Sequence, residues 1–324
     1  MKKRIALLLL LLYMSPQAGM TWGFFAHKRI NRLAVFTLPP DMFRFYKTHI
    51  RYITEQATSP DARRYVVEGE APKHYIDIDI YGDSAIQTMP RRWKDAVEKY
   101  SEDTLMAYGI APWNVSLMKY KLTEAFKKKD ARNILRLSAE IGHYIGDSNV
   151  PLHTTENYNG QMTGQYGIHG FWESRLPEAF SEDYDYFIGL ATYEQKPLQR
   201  AWSAVENAHA ALDSVLRIEK ELTKKIGEDK KYSYETRNGR NIKVYSMKFS
   251  EAYHNELDGQ VERQMRASIK MVGDFWFTCW VDAGQPNLDD LLKNGPTEEE
   301  LEKEMKEIEA LKNTKKVKSR DHDH

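Results

Sequence analysis

The tightest constraint on this chain lies between Leu135 and Glu173, in LRLSAEIGHYIGDSNVPLHTTENYNGQMTGQYGIHGFWE, which holds His143, Asp147, His153, His169 and Glu173. His143 and Asp147 are four residues apart, as are His169 and Glu173. On a helix each pair projects from one face and can reach a common ion. His153 follows Asn149-Val150-Pro151, where the proline predicts the end of the first helix and the start of a loop. A lone histidine on an apolar helix face is ordinarily a packed core residue. Five oxygen and imidazole donors in under forty residues, two pairs of them at helical spacing, argue instead for a metal site of more than one ion.

The rest of the chain reads as mostly helical, with no regular alternation of strands. Apolar residues at helical spacing predict a helix over 25–37 and, capped by Asp41, a second over 42–57. Ser59-Pro60-Asp61 has the order of an N-cap, a proline at the first helical position and an acid in the first turn. The segment KHYIDIDIYGD, 73–83, alternates and is expected to be extended. Helices are expected at 90–108, 113–128 and 130–147, then a long functional loop over 148–168. A long helix is expected over 197–225, a charged excursion over 226–247 with a turn at Asn238-Gly239, and a buried helix over 250–280. From Thr297 the chain is acidic and then basic, and is expected to be a solvated helix fraying into a disordered tail. Residues 22–296 therefore form a single all-α, multi-helix domain in this reading, with seven Trp among the residues able to fill its core.

The opening MKKRIALLLLLLYM, followed by SPQAGMT, has the outline of a secretory signal peptide over 1–21, which predicts a secreted or periplasmic protein. No later segment reaches about eighteen consecutive apolar residues, so no membrane span is expected in the mature chain. Lys+Arg and Asp+Glu balance at 47 each, and loss of Lys2, Lys3 and Arg4 with the signal leaves about −3. Duplex binding normally needs a strong basic excess, so any nucleic acid bound here would be held by metals more than by a cationic surface. Cys279, in FWFTCWV, is the single cysteine; it reads as a buried thiol and rules out an internal disulfide.

The order of these donors resembles that of the zinc-dependent phospholipase C / S1–P1 nuclease superfamily, all-α phosphodiesterases with a trinuclear zinc site. In that superfamily the mature chain begins with a Trp whose amine and carbonyl bind zinc, followed shortly by a His. Trp22-Gly23-Phe24-Phe25-Ala26-His27 is similar. Asp61 in SPDARR, His74 in HYIDID, the His143/Asp147 pair, His153 and the His169/Glu173 pair then follow in the same order. The likeness runs from Trp22 to Glu173.

The resemblance implies one zinc on Asp61, His74, His143 and Asp147, and a second on the Trp22 terminus and His27 that shares Asp147. It implies a third on His153, His169 and Glu173. It further implies a water bridging the paired ions, acidified to hydroxide for in-line attack on phosphorus, with Asp61 as the catalytic carboxylate that orients it or takes its proton. A Trp22 amine requires cleavage after Thr21, with Gly19 and Thr21 as the small residues. Glu173 is similar to the phospholipase branch, where the nuclease branch more often has Asp, and the missing disulfides also differ from the fungal nucleases. The substrate expected is thus a phospholipid, with single-stranded nucleic acid as the alternative.

Other residues read more simply. His49, His209 and His254 are assigned to packing or solvent, and Asp77 and Asp79 to acids beside the site or at the surface. Phe24, Phe25, Tyr144, Tyr158, Phe171 and Trp172 are mostly core, with room for one or two to contact a base or a quaternary ammonium. Glu140-x-x-His143 and Glu206-x-x-His209 also allow a di-iron helical bundle, but that reading leaves His27, His74, His153, His169 and Glu173 without roles. A non-catalytic structural zinc protein would be expected to carry a closed, thiolate-rich site, which this chain lacks.

Overall fold

The computed structural model describes residues 23–311 except residue 238. The expected signal segment, Trp22 and the chain beyond 311, with its terminal Asp-His-Asp-His, lie outside the described residues. The first helix, α1 (Gly23–Ala34), turns Ala26, Ile30 and Ala34 inward, the spacing expected for one buried face. It leads to α2 (Pro40–Thr48) and α3 (Ile50–Glu55), which are separated at His49, where one continuous helix was expected. Asp41 sits in the first turn of α2 and does not cap it. In α4 (Ser59–Arg64), Ser59 is already helical, Pro60 occupies the first turn and Asp61 follows it.

The helix expected over 90–108 is two, α5 (Trp93–Tyr100) and α6 (Glu102–Tyr108). Ser101, at φ 69°, breaks the chain between them and caps α6 by accepting from the Thr104 backbone N–H. Helices α7 (Ala111–Lys127) and α8 (Ala131–Ser148) pack on each other across the short turn 128–130. Asp130 caps α8 through the Asn133 N–H at 3.1 Å, and Pro151 follows its last turn.

After α9 (Pro197–Ile226) come β1 (Tyr232–Arg237) and β2 (Arg240–Tyr245), an antiparallel hairpin in which Tyr232 faces Tyr245. Two further helices, α10 (Met247–Glu256) and α11 (Gln260–Asp282), replace the single one expected over 250–280; Asp258 and Gly259, both at positive φ, turn the chain between them. Helix α11 lies in the core against α1, α7 and α8, burying Met265, Ile269, Val272, Phe275, Trp276 and Cys279. A smaller core of Ile76, Ile78, Met89, Trp113 and Trp202 lies under the 76–113 excursion.

The fold is all-α, with 72% helix and 3% strand. Its strands lie in the charged excursion at 232–245, while the 73–83 segment expected to be extended forms short 3-10 turns at Ala71–His74 and Ile78–Tyr81. The reason lies in its hydrogen bonds. Ile76 N–H bonds to the His153 carbonyl at 2.9 Å and Asp77 N–H to the Tyr108 carbonyl at 2.8 Å, so no neighbouring strand is recruited. The helix expected from Thr297 forms as α12 (Glu298–Leu311), but it is docked on the domain rather than solvated all round. Leu301 is buried, and Glu298 and Glu300 pair with Arg51 and Arg132. Among the described residues no helix is long and apolar enough to cross a membrane.

Two glycines let α1 approach α8. A Cβ at Gly142 would fall 1.9 Å from Asn31 Oδ1, and one at Gly146 would fall 2.9 Å from His27 Nδ1. Asn31 cannot easily move away, because it is buried and donates to the Ala139 carbonyl at 3.0 Å. Gly142→Ala is expected to destabilise the protein by roughly 1–3 kcal/mol, the usual penalty for overpacking. Urea unfolding measures this, and unchanged stability would show that the two helices are free to separate.

Candidate metal centre

The α1–α8 crossing sets the first geometry. It stacks the His27 ring on His143 with centroids 4.0 Å apart. Helix α8 presents His143 and Asp147 on one buried face, as their spacing predicts. His74 ends the Ala71–His74 turn, and Asp61 reaches in from α4. His74 Nδ1 lies 2.9 Å from Asp147 Oδ2 and 3.0 Å from His143 Nε2. Asp61 Oδ1 completes this group, 3.5 Å from His143 Nε2 and 3.8 Å from His74 Nδ1.

His153 lies in the Pro151–Thr154 turn and His169 in the short helix Ile168–Gly170. That helix widens into a π-turn over Phe171–Arg175, which carries Glu173. Such turns recur at functional sites. His169 Nε2 is 2.6 Å from Glu173 Oε2 and 3.1 Å from His153 Nε2.

His27 joins the two groups. Its Nε2 lies 3.3 Å from Asp147 Oδ1 and 3.5 Å from Glu173 Oε1. Each of the two carboxylates therefore turns one oxygen to His27 and the other to a different pair of imidazoles. The structure thus brings together His27, Asp61, His74, His143, Asp147, His153, His169 and Glu173 in four overlapping groups of three donors. Trp22 lies outside the described residues, but its neighbour Gly23 packs against Glu173, whose Oε1 would be 3.3 Å from a Cβ there.

The carbonyls around the site orient its imidazoles. His143 Nδ1 is 2.9 Å from the Ala57 carbonyl and His153 Nδ1 is 2.6 Å from the His74 carbonyl. A carbonyl only accepts, so each Nδ1 carries the proton and each Nε2 offers a lone pair to the site. Asp61, Asp147 and Glu173 form ion pairs with histidines only, among the described residues. Burial pushes the Asp147 and Glu173 carboxyls up, yet the surrounding imidazoles outweigh it and hold both well below the usual range. Burial likewise pushes His27 down, but hydrogen bonds to Asp147 and Glu173 leave it raised well above its ordinary value. His74 is the opposite case, where burial dominates and lowers it to about 4.

These donors fit a divalent metal. Bonds of about 2.0–2.1 Å place adjacent donors of a tetrahedral zinc about 3.3 Å apart. The spacings of 2.9, 3.2 and 3.5 Å around His143 and Asp147 cluster at that value. Imidazole and carboxylate suit zinc, and anionic oxygens buried without Lys or Arg call for a cation. The di-iron arrangement does not form: Glu140 pairs with Arg63 and Arg136, Glu206 with Arg91, and His209 hydrogen-bonds with Thr154.

Sequence reasoning missed Glu70 and Arg64. The buried Glu70 carboxylate contacts Arg63 at 3.3 Å, Lys73 at 2.5 Å and the Tyr144 hydroxyl at 2.5 Å. These are sequence neighbours of Asp61, His74 and His143, so one acid braces three donor-bearing segments. Nothing in the spacing of Glu70 marks it, since its partners converge only in space. Arg64 is buried with its Nε and Nη2 unpartnered among the described residues, and its charge acts on His74. The Asp61-x-x-Arg64 spacing is a weak signal for that residue.

Neither the scan against family models nor the search of curated proteins finds a match for this chain.

Zinc binding is expected to release protons and to weaken progressively as the pH falls, because the His27 imidazolium must give up a tightly held proton. Calorimetric titration in buffers of different ionisation enthalpy measures the release. Proton-independent binding would place the metal away from His27.

Proposed function

We propose that the protein is a zinc-dependent phosphoester hydrolase of the phospholipase C / P1 nuclease type, acting by preference on phospholipids. The observation that carries this reading is the run of overlapping, largely buried donor groups linked through Asp147 and Glu173. Structural zinc sites are closed and usually thiolate-rich, whereas this one is built of imidazole and carboxylate. It also has an open side: the Asp61 side chain is 19% exposed, against 8% or less for the other carboxylates of the group.

Zinc bound here would supply Lewis acidity toward a phosphoryl oxygen and lower the pKa of water in the site. The residues of the chain supply the rest. Asp61, at the open edge, orients an incoming water and accepts its proton. Arg64, one turn further along α4, is buried, and its positive charge acts on His74. His143 and His153 are locked by backbone carbonyls and stay aimed at the centre. The near-neutral charge balance and Glu173 favour a phospholipid over a polyanionic nucleic acid.

The test is hydrolysis of phosphatidylcholine, single-stranded RNA and single-stranded DNA in parallel, each with and without chelator. Chelator-sensitive release of a phosphorylated headgroup is the expected result. Nucleotide release would move the protein to the nuclease branch, and no turnover by zinc-loaded protein would refute the hydrolase reading. His143→Ala is expected to reduce activity at least ~100-fold, as loss of a metal-oriented catalytic apparatus does. Retained turnover in a folded variant would remove His143 from the site.

A further inference from the structure

Three contacts converge on the π-turn from an element outside the donor motifs, the β1–β2 hairpin and its base. Phe171 lies midway in sequence between His169 and Glu173, and its ring stacks on Tyr245 of β2 with centroids 3.7 Å apart and planes 7° from parallel. Tyr253 of α10 closes the other contact to Phe171 at 4.8 Å. Arg175, the last residue of the π-turn, pairs with Glu235 of β1 at 2.7 Å. Ahead of the turn, Gln165 donates to Glu219 of α9 at 2.5 Å and to the Leu216 carbonyl at 2.8 Å. Glu219 in turn accepts from Lys231 at 2.6 Å and from the Tyr245 hydroxyl at 3.2 Å. The segment from His169 through the π-turn is thus gripped before, between and after its two donors, by residues outside the donor groups.

We infer that the base of the hairpin, through Tyr245 and Glu235, is the positioning element for the His153/His169/Glu173 set and determines how tightly that set holds its ion. The inference rests on the metal reading above and adds a role for residues outside the donor set. The π-turn interrupts the regular hydrogen-bond ladder of a short helical run, between Ile168–Gly170 and Leu176–Phe180. Its geometry must therefore be imposed by neighbours, and the stacked Tyr245 ring together with the Arg175–Glu235 pair imposes it from one side. In the first donor set His143 and Asp147 lie on the uninterrupted helix α8, and Glu70 rather than the hairpin braces the segments around them. The hairpin therefore acts selectively on the His153/His169/Glu173 group.

The experiment measures zinc content and chelator-competition affinity of full-length wild type, Tyr245→Ala, Tyr245→Phe and Glu235→Gln, with far-UV circular dichroism as the check on folding. Tyr245→Ala is expected to weaken one zinc roughly 10-fold or more, the usual effect of losing a residue that orients metal ligands. Tyr245→Phe keeps the stacked ring and is expected to restore it. Glu235 is part-exposed, so Glu235→Gln leaves the fold intact and is expected to weaken the same ion by a smaller factor. The ion is identified with His169→Ala: adding Tyr245→Ala to that variant should remove no further zinc.

Wild-type affinity in both Tyr245→Ala and Glu235→Gln would overturn the inference, and so would equal weakening of every ion, which marks a general loss of stability. If Tyr245→Ala does not fold, Glu235→Gln decides alone. A wild-type chain that takes up no zinc would refute the metal reading itself, an outcome separate from these.

Discussion

Asp147 and Glu173 are buried among five imidazoles and meet no Lys or Arg among the described residues, and the rest of the structure answers to that condition. A buried carboxylate is tolerable only when its charge is balanced at close range. Without metal the balance comes from protons on the imidazoles, which is why His27 and His153 are raised although burial pushes both down. A divalent cation would do the same work with a larger charge. A cation bound here would therefore compete with those protons.

Holding these groups within about one bond length of their working positions requires rigid supports, and the fold uses a different one for each donor set. Helix α8 supplies two donors directly, and the Gly142 and Gly146 surface admits α1 closely enough for His27 to stack on His143. Glu70 ties together the segments bearing Asp61, His74 and His143. The 73–83 segment is held by the loop after α8, since the Ile76 N–H bonds to the His153 carbonyl while His153 Nδ1 donates to the His74 carbonyl. The segments bearing His74 and His153 are thus hydrogen-bonded to each other's backbone, and a shift in one carries into the other.

Much of this was legible in the residue order. The His-x-x-x-acid pairs, the proline after Asn149 and the apolar spacing of α1, α8, α9 and α11 are local signals, and local geometry follows from them. The breaks at His49, Ser101 and Asp258-Gly259 were not read, because each needs one residue to adopt a conformation that periodicity does not report. The 73–83 segment looks like a strand by alternation, yet its N–H groups find partners in a loop and a helix end. The hairpin at 232–245 was hidden in a charged stretch, whose paired residues face solvent on one side and Phe171 on the other. Likewise the acidic start of the tail looks solvated, but Arg51 and Arg132 wait for it on α3 and α8.

The sequence by itself determined the helical class and the set of donor residues, since both depend on residue identity and on spacings of three or four along one helix. Only the tertiary structure decided which donors face each other, that Asp147 and Glu173 each link His27 to other imidazoles, and that Glu173 sits on a π-turn braced by a distant hairpin. The physical reason is range. Helical spacing is an intrachain distance of a few ångströms, whereas the braces at Glu70, Glu219 and Tyr245 join residues far apart in sequence and exist only once the core has packed.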